Sequence, residues 1–406
     1  MSRVLVYSGV SWLGKIPDYW STCRVKNKFL FHKIIAKEKN VNYDRIALTL
    51  NGVIKRDKND SSGLQPDNYS GYQVVYKDDL IFKLIDLENV NTSRIGKSEY
   101  EGITSPAYLV LTDKCNTRYS LYYFLNMWYQ EIFNNIGGDG VRSAINKDDL
   151  LKVPYINISI DEQNKIANYL DKQCAKIDEI IKDNNREIEL LNEYRKNYVS
   201  EIVVDNKNKK IKLKHLANIV RGGSPRPIDD YLIDSSEVGT NWIKIGDTIK
   251  GSKYIDFTSQ KIKSEGVSKS RLLHKGDFIL SNSMSFGQPY ILNIDGCIHD
   301  GWLAFKNISS DILKDYLYYF LISDFCMKQF SDSIAGAVVG NLNIEKVKNT
   351  IIYLPNIEIQ KKIVEKLNTF CNKIDEIITY RKQIIEKLEE YKKSLIYECV
   401  TGKREV

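Results

Sequence analysis

Two short stretches of the sequence contain residues whose types and spacing could do chemistry. Residues 9–16, Gly-Val-Ser-Trp-Leu-Gly-Lys-Ile, nearly match the glycine-rich loop that holds nucleotide phosphates. That loop requires a serine or threonine where Ile16 stands, and Pro17 opposes the helix that should begin there. His299 and Asp300 could imitate part of a catalytic pair, but adjacent side chains rarely converge and no nucleophile motif accompanies them. Neither stretch therefore predicts an active site.

The remaining candidates for catalysis are also incomplete. Residues 105–108, Ser-Pro-Ala-Tyr, are similar to the Asn/Asp-Pro-Pro-Tyr loop of adenine methyltransferases, but they lack the amide or acid and the second proline. No glycine-rich cofactor loop precedes them. The four histidines include none at metal-ligand spacing with a cysteine. We therefore expect a non-catalytic chain that binds no cofactor and no metal of its own.

The composition is that of an ordinary globular protein with two or three domains. Of the 406 residues, 43% are hydrophobic and 27% are charged. No run approaches the roughly 20 apolar residues that cross a bilayer, so we expect no membrane association. Seven scattered cysteines without a Cys-x-x-Cys pair are typical of reduced thiols in the cytoplasm. The net charge of +7 permits a polyanionic partner without requiring one.

The sequence contains an internal repeat. At an offset of 197 residues, the stretches 163–203 and 360–400 are identical at 19 of 41 positions without a gap. The repeat continues outside these stretches, because Leu-Tyr-Tyr-Phe-Leu occurs at residues 121–125 and again at 317–321. Elsewhere the two halves differ greatly. We therefore expect a duplicated fold whose surface is not duplicated.

Within both repeated stretches the apolar residues alternate at spacings of three and four, which is typical of a coiled coil. Two polar residues interrupt each copy at matching places, Asn184 and Arg195 in the first and Arg381 and Lys392 in the second. Such residues can fix the register of a helix pair. The alternative, two unrelated amphipathic helices, does not account for their equal length and register. The predicted seam comprises Leu170, Ile177, Ile181, Asn184, Ile188, Leu191, Leu367, Ile374, Ile378, Arg381, Ile385 and Leu388.

The connectivity predicts an α+β protein with two mixed α/β domains and two long helices. The first head comprises residues 1–155 and the second head residues 206–355, and each is followed by a helix, at 156–205 and 356–406. If the second helix returns antiparallel to the first, the molecule acquires a pseudo-two-fold axis. About 41 helical residues span roughly 60 Å, which makes the helices a rigid spacer between two similar heads. Two heads at a fixed distance suit double-stranded DNA, a partner with a regular repeat.

The loops of both heads contain the residue types that bind phosphates and base edges. Arginine and lysine suit phosphate and guanine, asparagine suits adenine, and serine suits either. Any one such side chain is more often simply solvated, so the prediction rests on the collection. The candidate DNA-binding residues are Lys55, Arg56, Lys83, Arg94, Lys97, Ser105, Tyr108 and Arg142 in the first head, and Arg221, Ser224, Arg226, Lys244, Asn282, Ser283, Ser285, His299 and Asn341 in the second.

Several longer motifs run through the whole chain. They include Trp-Leu-Gly-Lys-Ile-Pro-Asp-Tyr-Trp at residues 12–20, Gly-Ile-Thr-Ser-Pro-Ala-Tyr at 102–108 and Arg-Gly-Gly-Ser-Pro at 221–225. Ile-Asp-Glu lies in each long helix, and Val-Thr-Gly-Lys at 400–403 ends the second. Together these motifs resemble those of the specificity subunits of type I restriction-modification enzymes. Two departures are small: Ile359 stands where this family usually has glutamate, and the first helix lacks the Thr-Gly-Lys ending.

The resemblance implies a non-catalytic DNA reader with two target-recognition domains, each of which binds one half of a split, asymmetric sequence. It also implies that the long helices set the spacer between the halves and dock two modification subunits, which bind S-adenosylmethionine and methylate adenine. Restriction subunits that translocate and cut DNA with ATP and Mg are expected to join this core. A narrower alternative within the same family is a subunit whose restriction partner has been lost, and the sequence does not exclude it.

Two functions of other classes stay open on the residues alone. One is a coiled-coil scaffold that binds only proteins, and the other is an enzyme that acts without partners. Salt-sensitive DNA binding separates the reader from the scaffold, because only a protein that contacts phosphates releases counterions. Methyl transfer or cleavage by the purified chain would identify the enzyme. The sequence does not reveal which bases are read, because no code relates such loop residues to bases.

Overall fold

A computed structural model describes residues 3–50, 52–60, 66, 68–85, 87, 93–136, 144–249, 251–282, 286–334 and 342–406. The chain divides into two compact units. Unit 1 comprises Met1–Asn184 and Gln383–Val406, and unit 2 comprises Asn185–Lys382. The first head lies in unit 1 and the second head in unit 2.

Unit 1 consists of short strands, the helices α1 to α4 and the end of the second long helix. The strands are β1 (Leu5–Tyr7), β2 (Lys15–Pro17), β3 (Ser21–Arg24), β4 (Phe29–His32), β5 (Arg45–Thr49), β6 (Gly52–Arg56), β7 (Gln73–Val75), β8 (Leu80–Phe82), β9 (Ile95–Lys97), β10 (Gly102–Thr104), β11 (Leu109–Asp113) and β12 (Pro154–Asn157). The helices are α1 (Val25–Lys28), α2 (Thr117–Tyr129), α3 (Lys147–Lys152) and α4 (Ile160–Val203), the last of which continues into unit 2.

Two four-stranded sheets form most of the first head, with strand orders β6-β5-β10-β7 and β4-β11-β8-β9. Strands β5 and β10 are parallel, whereas β8 is antiparallel to both of its neighbours. Strand β8 is apolar throughout because both of its faces are covered. Leu80 and Phe82 belong to the core that contains α2, and Ile81 packs with Ile46 of the other sheet. This arrangement explains why the strand does not alternate between apolar and polar residues.

Unit 2 has the same kinds of element. The strands are β13 (Lys209–Lys212), β14 (Asn218–Arg221), β15 (Leu232–Asp234), β16 (Thr240–Ile243), β17 (Tyr254–Ile255), β18 (Gln260–Ile262), β19 (Arg271–Leu273), β20 (Phe278–Ser281), β21 (Pro289–Leu292), β22 (Gly296–Ile298), β23 (Trp302–Lys306) and β24 (Ile351–Leu354). The helices are α5 (Ser264–Val267), α6 (Lys314–Leu321), α7 (Asp324–Ile334), α8 (Ile344–Asn349) and α9 (Ile357–Val400), the last of which continues into unit 1.

The two heads share one topology. In the second head the order β18-β16-β22-β19 matches β6-β5-β10-β7, and β14-β23-β20-β21 matches β4-β11-β8-β9. The parallel pair of β5 and β10 corresponds to the parallel pair of β16 and β22. Strands β15 and β17 extend the two sheets of the second head at their edges. The duplicated fold that the sequence repeat predicts is therefore confirmed.

Helices α2 and α6 carry the repeated Leu-Tyr-Tyr-Phe-Leu run into the cores of the two heads, where its aromatic residues are buried. Both helices also contact the long helices through a tyrosine that lies just before this run, Tyr119 in α2 and Tyr316 in α6. The Tyr119 hydroxyl donates to the Val400 carbonyl oxygen at 3.3 Å, and the Tyr316 hydroxyl donates to that of Val203 at 3.4 Å. These two bonds join residues that correspond at the offset of 197, so each head is attached to a long helix in the same way.

The long helices α4 and α9 contain 44 residues each and run antiparallel within both units. In unit 1 the Lys392 ammonium lies 2.6 Å from Asp178 Oδ1, and in unit 2 the Arg195 guanidinium lies 2.6 Å from Asp375 Oδ1. The predicted α+β class, with long antiparallel helices and an internal repeat, is thus confirmed. Partly exposed ion pairs contribute about 1 kcal/mol or less each, so these two select the register more than they stabilise the fold.

Helix α9 ends on a glycine that packs against the motif at residues 12–20. Gly402 has a φ of +70°, and a Cβ atom there would lie 2.5 Å from Pro17 and 2.7 Å from Trp20. A larger residue would have to displace the buried Trp20 ring or the proline. The Thr-Gly-Lys ending is therefore the means by which α9 packs against the first head.

Candidate nucleic-acid interface

In the second head, the loop after β14 lies against the loop that joins β22 to β23. A Cβ atom on Gly222 would lie 2.1 Å from the carbonyl oxygen of His299, so only glycine permits this approach. The Gly223 amide donates to the Ile298 carbonyl oxygen at 3.1 Å. On the other side, Ser270 Oγ donates to the Gly223 carbonyl oxygen at 2.8 Å. The two glycines of the Arg-Gly-Gly-Ser-Pro motif therefore hold this loop against its neighbours.

Predicted DNA-binding residues of this head converge on Asp300. Ser224 Oγ donates to Asp300 Oδ1 at 3.0 Å, and Arg226 Nη2 lies 3.7 Å from Oδ2. Arg221 Nε and Asn282 Nδ2 both donate to the Asp300 carbonyl oxygen, at 2.7 and 3.1 Å. Strand β23 pairs with both β14 and β20, which brings these distant residues together. We call this set the Asp300 cluster: Arg221, Ser224, Arg226, Asn282, His299 and Asp300.

The cluster combines a charged carboxylate with a neutral imidazole. Burial opposes ionisation of Asp300, but hydrogen bonds from Ser224 and from its own backbone amide, together with the charges of Arg221 and of His299 when that ring is protonated, lower the pKa of its carboxyl. Burial lowers the pKa of His299 despite the adjacent carboxylate. His299 Nδ1 accepts from the Gly301 amide at 2.8 Å, which leaves Nε2 as a hydrogen-bond donor. The cluster therefore offers both donors and acceptors at neutral pH.

Two further basic residues adjoin the cluster. Lys244 Nζ donates to Gln260 Oε1 at 2.8 Å, and its charge contributes to the lowered pKa of His299. Arg271, in β19, donates from Nε to the Arg221 carbonyl oxygen at 2.7 Å. Sequence reasoning did not select Arg271 as a DNA-binding residue, although the run Lys-Ser-Arg at 269–271 is basic, and it considered Asp300 only as part of a catalytic pair.

In the first head, Ser105 and Tyr108 lie in the β10–β11 loop, which corresponds to the β22–β23 loop of the second head. Gln73 Nε2 donates to the carbonyl oxygens of both residues at 2.7 Å and so fixes the loop. Ser105 Oγ accepts from the Ala107 amide at 3.3 Å. Burial raises the pKa of the half-buried Tyr108. Candidates from both heads thus occupy one topological position with different side chains.

Lys55 and Arg56 lie at a second place in the first head, where they line a cleft of about 430 Å³. Lys55 Nζ lies 2.6 Å from the exposed carboxylate of Asp44. The same cleft is lined by Arg45 and Lys58, which the sequence reasoning did not select. Because Asp44 and Asp57 line it as well, the cleft combines four basic residues with two acidic ones.

The other described candidates of the first head take part in contacts within the fold. Arg94 is 2% exposed and donates to a backbone carbonyl oxygen at 3.1 Å, so it lies in the interior rather than on the expected surface. Lys97 Nζ lies 2.9 Å from Asp78 and 2.5 Å from Glu99. Lys83 is half-buried directly after β8. The candidates that lie outside the described residues are Arg142, Ser283, Ser285 and Asn341.

The predicted seam residues are buried or half-buried on α4 and α9. Asn184 Nδ2 donates to the Ile180 carbonyl oxygen at 2.8 Å, and Arg381 Nη2 lies 2.6 Å from Glu187 Oε2. The buried members are Leu170, Ile177, Asn184, Leu367, Ile374 and Ile378. The half-buried members are Ile181, Ile188, Leu191, Arg381, Ile385 and Leu388. Sequence reasoning missed the acidic partners of Lys392 and Arg195, which are the aspartates of the two Ile-Asp-Glu motifs.

Comparison with known proteins relates the chain to type I restriction specificity subunits. The profile of the type I restriction modification DNA specificity domain matches residues 206–390. The type I restriction enzyme MjaVIII specificity subunit of Methanocaldococcus jannaschii is 24% identical over 360 residues, which cover 82% of this chain and 80% of that protein. A protein of the same organism described as the MjaX specificity subunit is 22% identical over 425 aligned positions, covering 96% and 95%. Over most of its length the chain is therefore similar in sequence to type I restriction enzyme specificity subunits.

The fold of this chain also matches a solved structure. A chain from a structure of complex assembly and conformational transition in a type I restriction-modification system superposes with a TM-score of 0.71. The sequences are 13% identical, and the match covers 96% of this chain and 100% of that one. At this identity the likeness concerns the fold alone.

Three further observations concern the chemistry of the chain. Among the described residues, no three or more His, Cys, Asp and Glu side chains are grouped so that they could hold a metal ion. Within the same residues, no helix is both long enough and apolar enough to span a bilayer. All seven cysteines are free thiols.

Proposed function

We propose that this chain selects the DNA sequence on which a type I restriction-modification complex acts and that it has no catalytic activity of its own. Each head binds one half of a split, asymmetric recognition sequence, and the long helices set the spacer between the halves. Two modification subunits that bind S-adenosylmethionine dock on the helices. Restriction subunits that use ATP and Mg join this core in the cytoplasm.

The observation that carries the proposal is that a shared fold presents unlike side chains at one position. The β10–β11 loop has Ser105 and Tyr108, whereas the β22–β23 loop has His299 and Asp300. A scaffold that only docks two copies of one partner does not require different side chains at this position. Readers of two unlike half-sites require it, because bases are distinguished by their pattern of donors and acceptors.

We expect the complex of this chain with two modification subunits to bind DNA with an affinity that falls steeply as salt rises. Released counterions make a protein with several phosphate contacts lose about 10³-fold in affinity between about 50 and 200 mM salt. Fluorescence anisotropy with a duplex that contains the target measures this slope. As a control, Arg226→Gln removes one exposed cation and lowers the slope of log affinity against log salt by about 1. An affinity independent of salt supports the scaffold instead.

Four exposed apolar side chains support the docking of two identical partners on the helices. Ile180 and Tyr391 of unit 1 are 46% and 49% exposed, and Ile377 and Tyr194 of unit 2 are 43% and 54% exposed. Each pair flanks the interhelical ion pair of its own unit. The offset of 197 relates Ile180 to Ile377 and Tyr194 to Tyr391. Because these exposed residues are not needed to fill the seam, their identity in both copies favours two equivalent contact sites.

We expect Tyr194→Asp or Tyr391→Asp alone to leave one modification subunit bound, and the double variant to leave none. A carboxylate in the centre of an apolar interface loses its hydration without gaining a partner. Size-exclusion chromatography with light scattering measures the stoichiometry. Tyr380→Asp is the matched control, because Tyr380 is 63% exposed on the same helix but corresponds to Asp183 in the other copy. Two subunits retained by the double variant would contradict docking at these residues.

A further inference from the structure

An acidic residue occupies the middle of the loop that the proposed function assigns to DNA. The Asp300 side chain is 44% exposed, and two cationic residues, Arg221 and Arg226, contact this residue, while Arg271 contacts Arg221 in turn. A fixed negative charge beside DNA repels the phosphates and lowers affinity. The corresponding loop of the first head, at residues 105–108, contains no acid. Asp300 therefore lowers the affinity for DNA of any sequence. A favourable effect of this residue can only lie in discrimination between base pairs.

The backbone of Asp300 is fixed by hydrogen bonds, whereas its carboxylate retains unused acceptor capacity. Arg221 and Asn282 donate to its carbonyl oxygen at 2.7 and 3.1 Å, which fixes the loop. Ser224 Oγ donates to Oδ1 at 3.0 Å, whereas Arg226 Nη2 lies 3.7 Å from Oδ2 and contributes charge without a hydrogen bond. An ionised carboxylate accepts about four hydrogen bonds. Oδ2 is thus positioned in a fixed loop with acceptor capacity left for a ligand.

We propose that Asp300 is a specificity-determining residue of the second head that selects a base with an exocyclic amino group, cytosine N4 or adenine N6, in the major groove. This inference rests on the proposed function. The amino group donates to the carboxylate and compensates for its desolvation. When the base pair is inverted, a guanine O6 or thymine O4 faces the carboxylate instead, and two acceptors without a hydrogen atom between them repel each other. The acid therefore acts by penalising the wrong base pair.

The test uses the complete methyltransferase complex and a set of duplexes in which each base pair of the second half-site is inverted in turn. The unaltered complex rejects every inversion. Asp300→Asn removes the charge and gives an amide that both donates and accepts, so one inverted pair becomes acceptable. We expect the preference at that single position to fall roughly tenfold to a hundredfold. A relaxed position that is cytosine in the target assigns N4, and one that is adenine assigns N6.

Two control variants and the first half-site separate a change in base preference from a loss of folding. Asp300→Glu retains the acid on a longer side chain, and we expect it to keep the same base preference with weaker methylation. Asp332→Asn makes the same charge change at an exposed position of α7, and we expect it to leave every preference unchanged. The first half-site reports whether each variant has folded, because its preferences depend on the other head.

The inference is overturned if Asp300→Asn methylates the first half-site normally and still rejects every inversion in the second as strongly as the unaltered complex. Relaxed preference spread evenly over the whole second half-site also overturns it, since that pattern indicates a displaced loop. A failure of the proposed function looks different, because then the unaltered complex itself has no preference in the second half-site.

Discussion

Exchange of the first head for that of another specificity subunit changes one half of the methylated DNA sequence and leaves the other half unchanged. We expect the second half of the sequence to be fully retained, because the Asp300 cluster and all residues that position it lie in unit 2. The junction is best placed at Ser159, since β12 runs Pro154–Asn157 and pairs with β3. Sequencing of methylated adenines across a genome that carries the complex measures the outcome.

The exchanged head must retain its attachment to the long helices for this experiment to be clean. Tyr119, which donates to Val400, and Trp20, which packs on Gly402, are kept in the incoming segment. The reciprocal exchange of residues 206–355 is the matched control and changes the other half alone. A new sequence in both halves after a single exchange would show that the heads do not read independently.

Insertion of four residues into each long helix, between the two interhelical ion pairs, lengthens the DNA spacer that the complex requires. The insertions follow Asn185 and Lys382, which correspond at the offset of 197. Four residues add about 6 Å of helix, which equals the rise of about two base pairs. They also add close to one helical turn, so the seam residues beyond the insertion stay on the facing side. The same methylated-adenine sequencing reads the spacer directly.

The ion pairs make this insertion an unusually strict test. Asp178 still meets Lys392 on one side of the insertion, and Arg195 still meets Asp375 on the other. Insertion into α4 alone is the control, because it shifts one helix against the other and allows only one of these pairs to form. We expect that variant to lose methylation. An unchanged spacer in the double insertion would exclude the helices as the determinant of spacing.

The long helices could be predicted almost completely from sequence, but their ionic contacts could not. Alternation of apolar residues by three and four defines which face of a helix is buried. It does not define how far one helix is shifted along the other. The pairing of Lys392 with Asp178 depends on that shift, so Asp178 looked like any other exposed charge. Asp178 and Asp375 correspond at the offset of 197, and this equivalence is the sequence signal that could have indicated their shared role.

The heads were less predictable because their functional residues meet only through the sheet. Ser224 and Asp300 are separated by 76 positions and become neighbours when β14 pairs with β23. Composition favoured Arg94 as a surface cation, yet the fold uses its guanidinium to satisfy a backbone carbonyl oxygen in the interior. Residue type indicates what a side chain can do, whereas strand pairing decides where it does it.

The division of the chain has a consequence for its synthesis. Unit 2 is one continuous segment, Asn185–Lys382, whereas unit 1 also requires Gln383–Val406. During translation all residues of unit 2 are therefore synthesised before the end of α9. That end carries Leu395, Ile396 and Cys399, which complete the core of unit 1. The first head emerges first but is completed last, and in the interval it exposes apolar surface that a chaperone or a waiting partner subunit can cover.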